Sequence, residues 1–312
     1  MKDVTVLMTT FNEKDSFISK AIKSILNQTY KNINFLIIID NPNNSNAIKI
    51  IEEYAYIDNR IHYIINDRNI GLAQSLNKGI GLIDTKYICR MDADDIALPD
   101  RIEKQVNFLK KNPEIDLLGC NTLYIDQYDN IIGQANDIFE EHNYIKEAMK
   151  YINVFKHPTL IGKTDVFRKI KYRNLNYAQD YDFTCRVIEN NYNVHNIKEK
   201  LLKYRLGKNI DKKIIYQEII AKLVREHYKK SNLSKYDIEK TMIEIMKNDI
   251  DYSIVKAKND IELIVENIKN KKIYLSCKEL MICCFRSKYH RERILNLFLY
   301  SALVLKYRLL KS

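Results

Sequence analysis

Residues 4–26, VTVLMTTFNEKDSFISKAIKSIL, carry the pattern from which the fold of this chain can be argued. Residues 4–9 form an unbroken run of mostly apolar and β-branched side chains, which predicts a buried strand. After a polar stretch, apolar residues recur at helical spacing: Phe17, Ile18, Ala21, Ile22, Ile25 and Leu26. A buried strand followed by an amphipathic helix is the first half of a βαβ unit.

The same alternation continues from this stretch to residue 91. Buried strands are predicted at 35–39, 61–65 and 87–91, with helical faces beginning at Ile48 and spanning 71–83 between them. Strands that alternate with helices predict an α/β fold with a mostly parallel, Rossmann-like sheet and helices on both faces. The continuous apolar strands agree, because parallel sheets are covered on both sides.

The pattern is more mixed beyond residue 100. The sequence predicts helices at 101–111 and 181–189, a strand at 115–125, and strand or irregular structure at 154–161. From about residue 214 it reads as wholly helical, with turns near Asn232 and Asn270. We therefore expect a domain boundary near residue 210, between an α/β domain of residues 1–210 and a helical region of residues 211–312.

The composition is that of a globular protein, since 46% of the 312 residues are apolar and Gly and Pro are scarce. The formal net charge is +11, which suits an anionic partner, although a solvated lysine-rich surface explains the overall charge equally well. The charge is uneven, because residues 271–312 hold ten Lys or Arg against two Glu, or +8. Six irregularly spaced cysteines and no recognisable signal peptide indicate reduced thiols in a cytoplasmic protein.

A twelve-residue apolar run lies near the C-terminus at Ile294–Leu305. It is flanked by basic residues and is shorter than the roughly 18–20 residues that a membrane-spanning helix needs. Bulky apolar residues with basic flanks favour a helix lying in the interface of an anionic membrane, within residues 290–312. A helix packed on the α/β domain or on a second subunit is the alternative. The expected location is cytoplasmic and peripheral, on the inner face of the plasma membrane.

Polar or acidic side chains follow each of the first four predicted strands. They lie at residues 9–12, at Asp40, at residues 66–69 and at residues 92–95. Ligands of open α/β sheets bind beyond the carboxyl ends of the strands. We therefore expect these side chains to converge on one rim of the sheet.

Asp92, Asp94 and Asp95 place three carboxylates within four residues after a buried strand. A hard divalent cation would relieve their mutual repulsion, and Mn²⁺ or Mg²⁺ takes carboxylate and phosphate oxygens together. The alternative is a polar turn in which one of these aspartates caps a helix that begins at Pro99. The residues alone indicate a metal–phosphate site in an α/β domain.

Two further residues are candidates for chemistry. Asp180 stands at the start of a predicted helix, where it would act either as an N-cap or as a general base that accepts the proton of a hydroxyl nucleophile. His157 precedes Pro158, so its backbone should be extended. It would serve as a metal or acceptor contact, or as a hydrogen-bonded core histidine.

Five segments stand in the order of a known family. They are residues 4–13 (VTVLMTTFNE), 37–41 (IIIDN), 69–73 (NIGLA), 91–95 (MDADD) with 98–101 (LPDR), and 179–182 (QDYD). Together they resemble family 2 glycosyltransferases with the GT-A fold, over roughly residues 1–206. Bacterial capsule, O-antigen and lipooligosaccharide enzymes are the most similar members. Each segment is weak by itself, and the ordered set is specific.

The resemblance implies a nucleotide-sugar half at about residues 1–115 and an acceptor half at about residues 116–210. Carried over position by position, it implies a role for seven residues: Thr9 and Phe11 contact the base or ribose, Asp40 reads the uracil imide, Arg68 lies beside the nucleotide, Asp92 lies near ribose and metal, Asp94 binds the metal, and Asp180 is the catalytic base. The implied reaction is transfer of a hexose or N-acetylhexosamine from a UDP-sugar to a saccharide acceptor, often lipid-linked, with inversion and with Mn²⁺ or Mg²⁺.

The sequence departs from the family pattern at two positions. Gln179 stands where many relatives have Glu before the base, and Gly207 stands where many have a metal-binding His. The metal would then be held by Asp94, the diphosphate and water, or by another residue. Gln179 and His157 remain candidates for lining the acceptor site.

Three other function classes were weighed against this one. A basic nucleic-acid-binding protein would place basic and aromatic residues on the rim, whereas this rim is acidic and would repel a polyanion. A nucleotide-sugar-binding protein without turnover would be favoured by Asn at position 180, where Asp stands. A nucleotidyltransferase would carry a glycine-rich phosphate loop near the first strand, and residues 9–13 contain no glycine.

Overall fold

The computed structural model of the protein describes residues 2–135, 139–207, 211–247, 256, 260–261, 263–265, 283 and 288–311. Its contacts divide the chain into two compact units. The first contains Met1–Lys146 and Asn153–Lys208, and the second contains Glu147–Ile152 and Asn209–Ser312. The predicted subdivision of residues 1–210 into nucleotide-sugar and acceptor halves remains a prediction.

The first part of the chain alternates strands and helices, as its apolar periodicity predicts. Its elements are β1 (Val4–Thr10), α1 (Asp15–Leu26), β2 (Ile33–Ile39), α2 (Ser45–Ile57), β3 (Ile61–Ile65), α3 (Leu72–Leu82) and β4 (Tyr87–Asp92). Every residue of β1 is buried, as expected of a strand covered on both faces. The predicted apolar face of α1 is also buried, and Ile18, Ala21, Ile22 and Ile25 are 0% exposed.

The next part of the chain mixes short strands with helices. Its elements are β5 (Ile96–Ala97), α4 (Arg101–Lys111), β6 (Leu117–Ile125), β7 (Ile131–Gln134), α5 (His142–Ala148), β8 (Ile161–Lys163), α6 (Thr164–Ile170), α7 (Gln179–Glu189) and β9 (Val194–Arg205). A 3₁₀ turn at His157–Thr159 precedes β8, so the region predicted as strand or irregular contains both. The extended backbone predicted for His157 is wrong, because His157 begins this turn and Lys156 before it is the extended residue.

The described residues contain nine strands, which form one mixed sheet. Their order is β3-β2-β1-β4-β8-β6-β9-β5, and β7 pairs with β6 outside this path. β1 runs parallel to β2 and β4, β2 runs parallel to β3, and β6 runs parallel to β9, whereas β8 is antiparallel to both of its neighbours. The register pairs Thr9 of β1 with Asp92 of β4, which brings the ends of these two strands side by side.

The second unit is helical where it is described. Its helices are α8 (Asp211–Lys229), α9 (Ile238–Lys247) and α10 (Lys288–Lys311), with a 3₁₀ turn at Leu233–Lys235 beside the predicted turn at Asn232. The turn predicted near Asn270 lies outside the described residues. Arg293 of α10 donates to Glu218 of α8 at 2.8 Å, and Lys222 also pairs with Glu292. Within the described part of the chain, none of the helices is both long enough and apolar enough to cross a membrane.

Two capping roles that the sequence left open as alternatives are absent from the described helices. Asp180 is not an N-cap, because α7 begins at Gln179 and its N-cap is Ala178, in the left-handed region with φ 53°. The acidic loop does not cap a helix at Pro99 either, because β5 follows that loop and α4 begins at Arg101. Since neither capping role is present, the positions of these aspartates need another explanation.

Candidate functional site

The acidic loop at residues 92–95 begins at the last residue of β4, where β4 lies against the end of β1. Asp92, Asp94 and Asp95 each offer a carboxylate oxygen, and these three oxygens lie within 4.8 Å of one another. Asp92 and Asp94 are partly exposed, whereas Asp95 is 1% exposed. The loop therefore gathers three acidic groups at the rim of the sheet, with one face open to solvent.

The crowding makes these carboxyls hard to ionise. Burial, together with the charges of Asp92 and Glu13, raises the pKa of Asp94 to about 7. Burial and the charges of Asp92 and Asp94 raise the pKa of Asp95 well above its usual range. Oδ1 of Asp95 accepts a hydrogen bond, whereas its buried Oδ2 has no hydrogen-bond partner among the described residues. A group of this kind either keeps a proton or meets a cation.

The chemistry of the three aspartates fits a hard divalent cation. Carboxylate oxygens are the ligands that Mg²⁺ and Mn²⁺ prefer, and a cation among them would relieve the repulsion that raises the pKa values of Asp94 and Asp95. Asp92 differs from the other two, because Nη2 of the buried Arg90 donates to its Oδ1 at 2.5 Å. Asp92 is thus already neutralised in part, and Asp94 is the better candidate ligand.

Arg205, at the end of β9, ties the acidic loop to the rest of the site. Its Nε donates to the backbone carbonyl of Asp94 at 2.7 Å, and its backbone N–H donates to Oδ1 of Asp95 at 2.7 Å. Its guanidinium also pairs with Asp129 and lies 4.0 Å from the ring centroid of Phe17. No role was predicted for this arginine, which stands two residues before Gly207.

Asp180 lies in the first turn of α7 and shares its surroundings with the acidic loop. Burial raises its pKa, the charge of Lys156 lowers it, and the charge of Asp92 raises it. Burial raises the pKa of Tyr204 above its usual range, and the charges of Asp92, Asp95, Asp180 and Asp94 all add to this shift. Since Tyr204 is influenced by all four carboxylates, the acidic loop and Asp180 belong to one site.

Three residues expected at the nucleotide lie around the ends of β1 and β2. Thr9 is 7% exposed, Phe11 is 39% exposed with its backbone N–H bonded to Glu13, and Asp40 is 4% exposed. Asp40 already accepts three hydrogen bonds, from the Asn66 side chain and from the backbone N–H groups of residues 70 and 71, at 2.8 to 2.9 Å. Asp40 therefore anchors the loop after β3.

Arg68 and Gln179 lie at less constrained positions. Arg68 is exposed in the loop that Asp40 anchors. Gln179 is partly exposed at the first residue of α7, beside Asp180. His157 is 8% exposed, and its Nε2 lies 2.9 Å from the hydroxyl of Tyr172. Burial and the charge of Arg90 hold the pKa of His157 well below its usual range, so the imidazole is neutral.

A second group of metal-ligand types occurs in the helical unit. Asp260, Cys283 and His290 each offer one ligand atom within 4.8 Å of the others, and His290 Nε2 lies 2.9 Å from Asp260 Oδ2. Cys283 and His290 are each 2% exposed. The acidic loop differs from this group in lying beside Asp180 and the predicted nucleotide contacts.

The sequence profile described as glycosyl transferase family 2 matches residues 5–175, which is more than half of the chain and includes the acidic loop. The chain belongs to glycosyl transferase family 2. A basic nucleic-acid-binding protein is thereby set aside, and the chain is a glycosyltransferase.

Several relatives agree with this assignment. An uncharacterized glycosyltransferase of Methanocaldococcus jannaschii is 43% identical over 208 residues, which are 65% of this chain and 70% of the relative. An uncharacterized glycosyltransferase of Haemophilus influenzae is 31% identical over 308 residues, or 93% of this chain and 91% of the relative. The O-antigen biosynthesis glycosyltransferase WbnJ of Escherichia coli is 30% identical over 240 residues, or 75% of this chain and 92% of WbnJ.

Solved structures confirm the fold. The crystal structure of S. aureus TarS residues 1–349 in complex with UDP-GlcNAc matches with a TM-score of 0.60 and 14% identity, covering 99% of this chain and 92% of that one. The full TarS structure matches with a TM-score of 0.57, and the alignment covers 44% of its length. The expected GT-A fold is therefore confirmed, with a mixed sheet, flanking helices and a helical C-terminal region.

Proposed function

We propose that this glycosyltransferase moves a hexose or N-acetylhexosamine from a UDP-sugar to a saccharide acceptor, with inversion at the anomeric carbon. The observation that carries the proposal is the single site formed by the acidic loop and Asp180, which both act on the phenol of Tyr204. One part of the site suits a sugar diphosphate with its cation, and the other part suits an acceptor hydroxyl.

Asp180 is the base of this mechanism. Its carboxylate takes the proton of an acceptor hydroxyl while the hydroxyl oxygen forms a bond to the anomeric carbon, on the face opposite the diphosphate. The bond between the anomeric carbon and the diphosphate oxygen breaks with its electron pair, so UDP leaves and the configuration inverts. Burial raises the pKa of Asp180, which makes it a better proton acceptor than an exposed aspartate.

Mn²⁺ or Mg²⁺ is the proposed cofactor, with Asp94 as its ligand and Asp92 beside it. A bound cation of this kind neutralises the charge that develops on a departing diphosphate. Arg205 fixes the loop that would bind the cation. It donates to the backbone carbonyl of Asp94 and to the carboxyl of Asp95. The buried Arg90 donates to Asp92 and fixes the orientation of this carboxylate beside the proposed ligand.

The donor is proposed to be a UDP-sugar. Support comes from TarS, whose structures contain UDP and UDP-GlcNAc. Thr9 and Phe11 would contact the base or ribose, Asp40 would read the uracil imide, and Arg68 would lie beside the nucleotide. Phe11 offers an aromatic face at the end of β1, since it is 39% exposed, and Asp40 lies at the end of the adjacent β2.

The acceptor is proposed to be a saccharide of surface polysaccharide synthesis, carried on a lipid. Support comes from the O-antigen enzyme WbnJ and from AmsE of Erwinia amylovora, which is named for amylovoran biosynthesis and is 26% identical over 210 residues. A lipid carrier would place the reaction at a membrane surface. The second unit carries a helix suited to such a surface.

Helix α10 has a stripe of exposed apolar side chains. Leu295, Phe298, Leu305 and Leu309 are each at least 58% exposed and recur mostly at three- and four-residue steps. Exposed basic residues accompany them: Arg291, Lys306 and Arg308. We propose that this face lies on anionic lipid at the inner face of the plasma membrane, because apolar insertion and charge attraction reinforce each other there.

The proposed reaction is tested by screening nucleotide sugars for UDP release, with a saccharide acceptor and with Mn²⁺, Mg²⁺ or EDTA. Release is expected from one UDP-sugar and should stop in EDTA. Activity that EDTA leaves undiminished would refute the metal requirement. Asp180→Asn keeps the size of the side chain and removes the base, so it should bind the donor normally and lose transfer. Unchanged transfer by this variant would refute the base assignment.

A further inference from the structure

Asp180 does not stand alone in its site. The side-chain Nδ2 of Asn153 donates a hydrogen bond to Oδ2 of Asp180 at 2.8 Å, across 27 residues of chain. The mechanism above assigns no role to Asn153. A hydrogen bond to one oxygen of a carboxylate fixes the plane of that carboxylate and leaves the other oxygen to meet a substrate.

The amide of Asn153 is itself held in one orientation. Its Oδ1 accepts the backbone N–H of Phe155 at 3.2 Å, so Nδ2 points away from that contact and toward Asp180. Phe155 is 2% exposed, which anchors the turn in the protein interior. The chemistry agrees with this assignment of the two amide ends, because an ionised carboxylate needs a donor and only Nδ2 can supply one.

Lys156 adds a positive charge to the same surroundings. Its charge lowers the pKa of Asp180, and its ammonium lies 5.9 Å from the ring centroid of Tyr204. Its backbone carbonyl accepts both the N–H and the hydroxyl of Thr159, at 2.9 and 2.6 Å. Residues 153–156 are thus fixed at both ends, by Asp180 and by the 3₁₀ turn.

Other titratable groups also face Asp180. Asp92 opposes its ionisation, whereas Lys156 favours it. The charge of Asp180 also acts on Tyr172, Cys185 and Tyr204. Burial raises the pKa of each of these groups above its usual range, so all three are neutral near pH 7. The residue preceding the base is the neutral Gln179, which supplies no charge of its own.

We propose that residues 153–156 set the catalytic base: Asn153 is a positioning residue that aims Asp180 at the acceptor hydroxyl, and Lys156, held over the ring of Tyr204, supplies a positive charge near it. This inference rests on the proposed role of Asp180 as the base. The hydrogen bond occupies Oδ2, so Oδ1 is the oxygen that receives the proton. The Asn153 hydrogen bond and the charge of Lys156 both favour the ionised carboxylate and oppose the burial that raises its pKa.

The test is the pH profile of acceptor turnover in four variants, with the full chain and the donor found in the UDP-release screen. Asn153→Ala removes the donor, and Asn153→Asp keeps the shape but replaces the donor with a second acid. Lys156→Met removes the charge, and Lys156→Arg restores it. The affinity for the UDP-sugar is measured alongside, because it reports folding of the site without involving proton transfer.

In Asn153→Ala, kcat is expected to fall about ten- to a hundredfold, because a charge-assisted hydrogen bond to the base is lost. The acid limb of kcat/KM should move to higher pH by about one unit, since the ionised form has lost stabilisation. Asn153→Asp should move it further, and Lys156→Met should move it in the same direction. Lys156→Arg should restore the profile, and the donor affinity should stay near that of the parent protein.

Asn112→Ala is the matched control, because its Nδ2 donates to the Phe108 carbonyl at 2.8 Å at the end of α4. Its pH profile should be unchanged. An unmoved acid limb and an unchanged kcat in Asn153→Ala and Lys156→Met would overturn this inference. If those variants are unchanged while Asp180→Asn is inactive, the proposed reaction stands and only the role of residues 153–156 fails. If Asp180→Asn transfers normally, the proposed base fails with it.

Discussion

At the scale of single residues, Asp92 and Asp94 differ in their surroundings, although only one residue separates them. Asp92 is paired with the buried Arg90, whereas burial and neighbouring negative charges raise the pKa of Asp94 to about 7. Without a cation, the folded protein therefore keeps a proton on Asp94 from pH 3.8, the ordinary pKa of this carboxyl, up to a pH of about 7. A metal ligand must lose that proton, so cation binding at this site is linked to pH.

We predict that Mn²⁺ binds about tenfold more tightly at pH 8 than at pH 6, because one proton with a pKa near 7 is displaced. The raised pKa also means that Asp94 stabilises the metal-free fold at low pH and that this contribution is lost as pH rises through 7. Calorimetric titration with Mn²⁺ at both pH values checks the affinity. Asp94→Asn is the control and should abolish binding, and equal affinity at the two pH values in the parent protein would contradict the link.

Arg205 provides a second prediction at the residue scale. It is 6% exposed. Its side chain donates to the Asp94 carbonyl and to Asp129, and its backbone N–H donates to the Asp95 carboxyl. Arg205→Ala keeps the backbone N–H bond to Asp95 but removes the guanidinium bonds to the Asp94 carbonyl and to Asp129, so the free energy of unfolding should fall by about 3 kcal/mol. Urea denaturation measures it.

The matched control for Arg205 is Lys198→Ala, because Lys198 is 61% exposed and pairs with Glu140 at 3.0 Å. Breaking this exposed pair should change the free energy of unfolding by less than about 1 kcal/mol. Equal losses in the two variants would show that the loop does not depend on the buried arginine. Metal affinity should weaken in Arg205→Ala alone.

At the scale of elements, the site depends on how closely β8 packs between its neighbours. Gly162 lies on β8, paired with both β4 and β6. A Cβ added there would lie 2.7 Å from the backbone carbonyl oxygen of Asp116 and 2.9 Å from a methyl of Leu117. A backbone atom cannot move aside as the end of a side chain can, so β8 and the start of β6 would have to separate.

Gly162→Ala is therefore predicted to destabilise the fold by about 1–3 kcal/mol through overpacking. Gly81→Ala is the matched control, because a Cβ at Gly81 in α3 meets nothing within 4 Å. That change should be neutral or stabilising by up to about 1 kcal/mol, since Ala has the higher helix propensity. Thermal unfolding of both variants compares them directly, and a stable Gly162→Ala protein would refute the close packing at β8.

The elements also explain how far the sequence could predict this fold. The strands β1 to β4 and the helices between them were predictable, because each strand is a continuous apolar run and each helix has one apolar face. The strand β9, with the sequence VHNIKEKLLKYR, was missed because charged residues interrupt its apolar positions and its pattern of burial is irregular. Tertiary pairing with β6 makes it a strand, and single-sequence periodicity does not carry that information.

The candidate site was predictable to the same extent. The acidic loop could be predicted because it comes directly after a buried strand, and Asp180 could be predicted because it stands at the start of a helix. The roles of Arg205 and Asn153 depend on contacts across 111 and 27 residues of chain, which no local pattern encodes. Asp40 shows the opposite case, because its position was predicted and its three hydrogen bonds to the loop after β3 became apparent from the structure.

At the scale of the whole molecule, the positive charge is concentrated in the C-terminal part of the sequence. Residues 271–312 carry +8 of the net +11, and α10 carries exposed basic side chains beside its apolar stripe. Because the rim of the sheet is acidic, the predicted nucleotide-sugar site does not explain the net charge of +11. Membrane binding through α10 would account for both the charge and the exposed apolar residues.

We predict that the full-length protein sediments with vesicles of phosphatidylglycerol and phosphatidylcholine but not with vesicles of phosphatidylcholine alone, and that salt weakens the binding because it screens the basic residues. The double variant Phe298→Ser and Leu305→Ser should lose most of the binding, since both side chains are about 60% exposed and insertion depends on apolar area. Ile57→Ser is the matched control, because Ile57 is 78% exposed on α2 in the other unit, and it should bind as the parent does. A parent protein that stays in the supernatant at low salt would refute the membrane surface, and a concentration-dependent dimer lost in the double variant would assign the stripe to a second copy instead.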